Sequence, residues 1–234
     1  MQRKDIGKRL ADGISAKLEF DYICERGRSF NEYHLHGVMN EIISALISSV
    51  DFLSRPGYAH EALARDVDTT AGRKREVDFY IQAHNPSLTD VCIEAKWAGS
   101  SHCSWDRVLL DICRLALVNK HSPSTECLFV LSGPTKEVDA VLKSLERNMP
   151  RRNMRGRSGS ILQRPVESEK TYKNIYRLRD WGGRFAGNEF VQKGLPKKKD
   201  GRPNIPVKIN TQLVRTSGTR TAKWQTIVWR ILNN

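Results

Sequence analysis

The chain has 234 residues, enough for one large domain or for a core with a smaller appendage. It has no stretch close to the roughly 20 consecutive apolar residues that cross a bilayer, and its charged N-terminus lacks the apolar run of a secretory signal. We therefore expect a soluble, intracellular protein of the cytoplasm. The five cysteines are odd in number and scattered, which favours reduced thiols over a disulfide framework.

The formal net charge of +13 is unevenly distributed. Residues 147–234 contain 21 Lys and Arg against 5 Asp and Glu, whereas residues 1–146 contain 18 against 21. A basic region on a nearly neutral body is typical of proteins that bind polyphosphates, because phosphate contacts release condensed counterions. The alternative is a solvated tail that only improves solubility. We predict a core of residues 1–146 with N-terminal helices, followed by a basic nucleic-acid-binding region of residues 147–234.

Apolar residues recur at helical spacing in two N-terminal segments, residues 6–25 and residues 30–49. The sequence Arg55-Pro56-Gly57 is then expected to interrupt regular secondary structure. Two short strand-like runs follow at residues 75–82 and 89–97. A turn containing Asn85 and Pro86 separates these runs, which predicts a β-hairpin.

The second half of the core continues the alternation of strands and helices. Apolar patterns predict a helix over residues 105–118, a buried strand over 127–131 and a helix over 135–146. An Arg/Gly/Ser-rich connector follows residue 150, and a closing hairpin is predicted from residues 207–216 and 221–232. This order predicts an α/β fold in which helices flank a central mixed β-sheet, with the last hairpin in a basic C-terminal extension.

The predicted hairpin carries three ionisable residues, Asp78, Glu94 and Lys96. Successive strand side chains alternate between the two faces of a sheet. The first strand has an apolar row of Val77, Phe79 and Ile81. The second strand has an apolar row of Val91, Ile93, Ala95 and Trp97. The parity therefore predicts that Asp78, Glu94 and Lys96 share the opposite face.

Two neighbouring carboxylates repel each other unless a cation lies between them. Mg²⁺ prefers oxygen ligands and keeps several waters and substrate phosphates, so two carboxylates are sufficient protein ligands. We expect Asp78 and Glu94 to bind Mg²⁺, with Mn²⁺ as a substitute. Lys96 would lie near the ion and the scissile phosphate, either as a base that orients water or as a positive charge that stabilises the transition state.

The pattern of Asp78 followed by Glu94-x-Lys96 on a hairpin, after a helix that contains Glu41, resembles the PD-(D/E)XK nuclease superfamily. The resemblance covers roughly residues 30–146. It implies a restriction-endonuclease-like core in which Asp78, Glu94 and Glu41 bind the metal and Lys96 assists the nucleophilic water. Val77 stands where the family name places proline.

The helix residue is the less specific part of this resemblance. Glu32 lies on the same predicted helix as Glu41 and is the alternative ligand. We favour Glu41 because Ile42, Ile43 and Leu46 follow it and should bring it nearer to the sheet.

The resemblance and the charge asymmetry together predict a metal-dependent endonuclease that hydrolyses phosphodiester bonds in double-stranded DNA. No helicase or accessory motif is recognisable, which favours a restriction or phage-defence nuclease. A homodimer is expected, because a two-fold pair of sites suits two antiparallel strands. The alternatives are a non-catalytic nucleic-acid-binding protein on a nuclease-like scaffold and an RNase that uses the same site.

Basic residues in two segments are candidates for phosphate contacts. The segment before the first catalytic strand contributes Arg73, Lys74 and Arg75. The C-terminal region contributes a loop with Lys197, Lys198, Lys199 and Arg202. Their alternative role is that of ordinary solvated charges.

Overall fold

The computed structural model describes residues 6–64, 75–148, 161–162, 173–177, 188–219 and 221–232, with the backbone alone at 173–177. The helices are α1 (Ile6–Ile23), α2 (Glu32–Leu46), α3 (Trp105–His121), α4 (Thr135–Asn148) and α5 (Glu189–Gly194). The strands are β1 (Phe52–Tyr58), β2 (Val77–Ala83), β3 (Val91–Trp97), β4 (Glu126–Pro134), β5 (Lys173–Arg177), β6 (Lys208–Ser217) and β7 (Trp224–Leu232).

The described strands form one mixed sheet in the order β1-β2-β3-β4-β7-β6-β5. Strands β3 and β4 run parallel, and the other neighbouring pairs are antiparallel. A parallel pair needs a long crossover, which α3 provides between β3 and β4. The carboxyl end of β3 therefore leads directly into the loop before α3.

Helices cover both faces of the sheet, so that the core has two layers. On one face, α1 and α2 pack with residues such as Phe79, Ile81 and Ile93. On the other face, α3 and α4 pack with residues such as Tyr80 and Cys92. Neighbouring residues of one strand thus belong to different layers, as the pleat requires. The α/β class with a mixed sheet flanked by helices is confirmed.

The predicted helices and the β2–β3 hairpin are confirmed, with shifts of a few residues at their ends. The prediction that Arg55-Pro56-Gly57 interrupts regular secondary structure is wrong, because these residues lie within β1. Strand β1 has β2 as its neighbour on one side and lies at the edge of the sheet. An edge strand tolerates proline, because the missing N–H is not needed for a second ladder.

The closing hairpin is confirmed as β6 and β7, but a C-terminal extension that contains it is not confirmed. Strand β7 pairs with β4 along its length, from Cys127 opposite Ile231 to Pro134 opposite Trp224. The hairpin is therefore central to the sheet, and α1 packs on it. The division of the chain at residue 146 stays a prediction.

The described cysteines are free thiols, as expected, and four of the five are buried: Cys92, Cys103, Cys113 and Cys127. Among the helices of the described residues, none combines the length and the apolar character that a membrane crossing requires.

Candidate active site

Strands β2 and β3 separate at the point where the predicted site begins. Their ladder ends at the pair of Phe79 and Ile93. Beyond it, Oδ2 of Asp78 accepts a hydrogen bond of 2.7 Å from the backbone N–H of Ala95. The Asp78 side chain thus takes the place of a backbone acceptor and fixes its own carboxylate beside Glu94. The predicted proximity of Asp78 to the second strand is confirmed.

The predicted apolar row of β2 is wrong at its first member. Phe79 and Ile81 pack in the layer of α1 and α2, but Val77 packs in the layer of α3. The alternation fails at Asp78, where the β2–β3 ladder is interrupted. On the other side of β2, the register with β1 skips Gly57, whose φ of 60° is unfavourable for residues with a side chain. The β1–β2 register itself continues unchanged past this point, with Pro56 opposite Phe79 and Tyr58 opposite Val77.

Glu94 is buried, with 2% of its surface exposed. Its Oε1 atom has no hydrogen-bond partner among the described residues. Burial raises the pKa of Glu94 well above its ordinary value, and the neighbouring carboxylates of Asp111 and Asp78 raise it further. Lys96 and Arg114 oppose this shift only in part. The cluster therefore holds the proton of Glu94 to a higher pH than an exposed glutamate would.

Lys96 joins the two helical layers at the end of β3. Its Nζ atom lies 3.1 Å from Oε1 of Glu32 at the start of α2 and 3.1 Å from Oδ2 of Asp111 on α3. Burial alone would lower the pKa of Lys96, but the carboxylates of Asp111, Asp78, Glu94 and Glu32 together raise it above its ordinary value. Lys96 is therefore held as an ammonium ion.

Asp111 is a site residue that the sequence analysis missed. It is 4% exposed, and burial raises the pKa of its carboxyl group against the opposing effect of Lys96 and Arg114. A signal was present in the sequence, because Asp111 interrupts the apolar face of α3 that includes Val108 and Leu115. An isolated acid on a buried helix face needs a positively charged partner, and here Lys96 and Arg114 both lie beside it.

The structure brings Glu32, and not Glu41, to the cluster. The Glu41 carboxylate is 67% exposed and lies 3.6 Å from Nζ of Lys17 on the protein surface. Nine residues separate the two glutamates, about two and a half helical turns, so they lie on opposite sides of α2. The preference for Glu41 is thus corrected in favour of Glu32, which contacts Lys96 rather than Asp78 or Glu94.

An open cleft of about 650 Å³ leads to Asp78 between α2 and the first two strands. His36 lines it, with Nε2 3.6 Å from Oδ2 of Asp78 and its ring against the ring of Phe79. Arg114 lines it from α3 and lies 3.6 Å from Asp111. Asp78 is therefore the member of the cluster that an external ligand reaches through this cleft.

The predicted phosphate contacts lie in different surroundings. Arg75 lines the cleft and donates a hydrogen bond of 3.0 Å to the backbone oxygen of Lys193. Arg202 forms an ion pair of 2.6 Å with Asp200. The exposed lysines of the same loop are Lys197, Lys198 and Lys199. Arg73 and Lys74 lie outside the described residues.

The carboxylates of Asp78 and Glu94 have features that a bound divalent cation would explain. Oε1 of Glu94 is buried without a hydrogen-bond partner in the described structure, and Asp78 raises the pKa of this glutamate. A cation between the two carboxylates would satisfy this oxygen and offset the repulsion. No group of three or more His, Cys, Asp and Glu side chains suited to a metal occurs in the described ranges. Because Mg²⁺ is often held by one or two carboxylates, Asp78 and Glu94 fit this ion.

Comparisons with protein-family models, with curated proteins and with solved structures give no significant match for this chain. The chemistry of the cluster around Lys96 and of the cleft at Asp78 is therefore the basis for a function.

Proposed function

We propose that the chain is a divalent-metal-dependent nuclease of the PD-(D/E)XK type, with Asp78 and Glu94 as metal ligands and Lys96 as the catalytic cation. One observation carries the proposal: the two acids and the amine converge where β2 and β3 separate, beside an open cleft. The Oε1 atom of Glu94, buried without a hydrogen-bond partner among the described residues, supports a metal ligand at this point.

Bound between Asp78 and Glu94, Mg²⁺ or Mn²⁺ would lower the pKa of a water and offset the charge of a phosphate. Asp78 would bind the metal from the side that faces the cleft, with its carboxylate anchored by the N–H of Ala95. Glu94 would hold the buried side and lose its proton on binding, because a cation reverses the shift that Asp78 and Asp111 impose.

Lys96 could act as a base that orients water or as a positive charge that stabilises the transition state, and its contacts favour the second role. Its ammonium group lies between the carboxylates of Glu32 and Asp111, and its pKa is raised. A lysine that keeps its proton is a poor base but a good partner for the negative charge that develops on a phosphoryl group. Glu32 and Asp111 are then positioning residues that direct the ammonium group.

The proposed substrate is DNA, cut endonucleolytically, with the basic C-terminal region contacting the backbone. The charge of residues 147–234 supports a polyphosphate substrate. A role in restriction or phage defence, and a homodimeric assembly, belong to the same proposal. An RNase would use the same residues, so only substrates can separate the two.

The test is a cleavage assay on double-stranded DNA, single-stranded DNA and RNA in parallel, with Mg²⁺, with Mn²⁺ and with chelator. We expect cleavage only with a divalent ion. Asp78→Asn, Glu94→Gln and Lys96→Met should each reduce it by about 100-fold or more, the effect of losing a transition-state contact. Glu41→Gln is the matched control, because its carboxylate lies on the surface. Undiminished cleavage by the three variants would reject the assignment.

A non-catalytic nucleic-acid-binding protein is the second candidate. The observation that favours it is the pairing of Lys96 with both Glu32 and Asp111, which would stabilise the two layers without any chemistry. This candidate predicts binding that weakens steeply with salt and no cleavage with any divalent ion.

A further inference from the structure

The cleft at Asp78 has one wall made by a single face of α2. Tyr33, Gly37 and Asn40 are exposed along this wall at intervals of four and three residues, which places them on one side of the helix. Arg75 and Arg114 line other parts of the cleft. An aromatic ring, an amide, two guanidinium groups and the carboxylate of Glu76 thus line the approach to the carboxylate of Asp78.

Gly37 leaves open space in the cleft, because it has no side chain. A Cβ atom added at Gly37 would meet no described atom within 4 Å, so packing does not require a glycine here. Glycine in the middle of a helix is unfavourable relative to alanine. The sequence therefore retains a poor helix former at a position where a side chain would project into the cleft. This is the arrangement expected if the space is needed for a ligand.

The groups around Gly37 suit one strand of a nucleic acid. Tyr33 is 86% exposed, so its ring is available for a base to stack on. Arg114 lines the cleft with a side chain that is 20% exposed, and its Nη1 atom lies 3.6 Å from Oδ1 of Asp111. A guanidinium group has several donors and is a preferred phosphate contact. Arg75 connects the cleft to α5, because it donates to the backbone oxygen of Lys193, four residues before Lys197.

The size of the cleft limits what can enter it. Its volume of about 650 Å³ is that of a pocket for one small molecule, room for about one or two nucleotides. In a duplex the bases are paired and stacked on one another, so that none is available to a side chain. A strand that places a base on Tyr33 within this cleft must therefore be single or locally unpaired.

We infer that the cleft binds a single, unpaired nucleic-acid strand, with a base on Tyr33, a phosphate at Arg114 and the open space over Gly37 occupied by the nucleotide. The inference deepens the proposed function and rests on it, because it names the substrate class of the same site. It makes single-stranded or frayed nucleic acid the preferred substrate, in place of an intact duplex.

The experiment measures binding separately from cleavage. Fluorescence anisotropy with a labelled oligothymidylate, and with oligouridylate as the RNA counterpart, is recorded in chelator so that no hydrolysis occurs. Tyr33→Ala should weaken binding by roughly 5- to 100-fold, the range for loss of one base stack. Gly37→Leu should weaken it by at least about 10-fold, because the side chain would occupy the cleft. A duplex of mixed sequence should compete poorly.

Two matched controls separate these effects from unfolding and from general surface changes. Ala45→Leu adds the same side chain at an exposed position of α2 that does not line the cleft. Phe20→Ala removes an exposed aromatic ring from α1. Both should bind like the parent chain. Gly37→Leu should melt at the parent temperature or above it, because leucine favours the helix.

The outcomes distinguish this inference from the proposed function. Loss of binding in Tyr33→Ala and Gly37→Leu, without cleavage by the parent chain under any divalent ion, supports the strand site and rejects the nuclease. Cleavage that depends on Asp78 but proceeds normally in both variants rejects the strand site alone. Equal competition by duplex and single strand, or no binding of either, also overturns the inference.

Discussion

Nζ of Lys96 lies 3.1 Å from Oδ2 of Asp111, and this ion pair connects the end of β3 to the middle of α3. Both side chains are largely buried, at 12% and 5% exposure. A buried pair adds little compared with an apolar pair, but removing one partner leaves the other charge in a poor environment. The pair therefore makes the position of Lys96 sensitive to a residue on another element.

Asp111→Asn should lower the free energy of unfolding by about 1–3 kcal/mol, because Lys96 loses its more buried partner while Glu32 remains. Chemical denaturation measures this change. Glu32→Gln is the matched control, since Glu32 is 24% exposed and solvent screens it better. Equal losses for the two variants would contradict the greater weight assigned to Asp111.

Glu32 and Glu41 should differ in their effect on cleavage. Glu32→Gln removes a charge that directs the Lys96 ammonium group, and we expect a loss of roughly 10-fold in kcat with little change in KM, the usual size for a supporting contact. Glu41→Gln should leave both constants unchanged, because Glu41 pairs with Lys17 at the surface. The opposite order would restore Glu41 as a site residue.

The sequence predicts the elements whose signal is local. Helical periodicity identifies α1 to α4, and the spacing around Asn85-Pro86 identifies the β2–β3 hairpin. Strand β1 could not be predicted in this way, because Pro56 and Gly57 usually interrupt a strand. Proline is tolerated in an edge strand, but the position of β1 at the edge is known only from the structure. The insertion of β7 beside β4 depends on pairing between distant segments, which no local pattern encodes.

In the candidate site, too, the local pattern predicts some residues correctly and fails where tertiary packing decides. Strand parity is sufficient to place Glu94 and Lys96 on one face, because β3 is regular. It fails at Val77, where Asp78 bonds to the backbone of β3 and the ladder is interrupted. The choice of Glu41 failed because apolar neighbours indicate only that a helix is buried, whereas the meeting of Glu32 with Lys96 depends on how α2 lies on the sheet.

Glu94 should make the folded chain less stable as pH rises. Its pKa is higher in the folded than in the unfolded chain, so the folded state binds more protons and the free energy of unfolding falls above the ordinary value of about 4.5. Glu94→Gln removes this dependence. The variant should therefore melt at the parent temperature at pH 4 and above it at pH 8, by differential scanning calorimetry without divalent ions. Added Mg²⁺ should narrow the difference at pH 8. A constant difference across the pH range would contradict the assigned shift.

Gly133 should be intolerant of any side chain. It lies near the end of β4 with a φ of 155°, and a Cβ atom there would be 2.7 Å from the backbone oxygen of Ala98, just after β3. Because that contact is with backbone, relief would require β3 and β4 to move apart. Gly133→Ala should cost about 2 kcal/mol or more in thermal or chemical unfolding. Gly37→Ala is the matched control and should raise Tm by about 2–4 °C, since its Cβ meets open space.

The basic loop after α5 should determine part of the salt dependence of nucleic-acid binding. Lys197, Lys198 and Lys199 are exposed, so each is available for a phosphate, whereas Arg202 already pairs with Asp200 at 2.6 Å. Each phosphate contact contributes about 0.7–0.9 to the slope of log affinity against log salt. Replacing the three lysines with Ala should therefore reduce the magnitude of this slope by about 2–3, measured by anisotropy titrations at several NaCl concentrations. Arg202→Ala should change it by less than about one, because Asp200 already neutralises that charge. A slope that stays the same in the triple variant would place the phosphate contacts elsewhere in the chain.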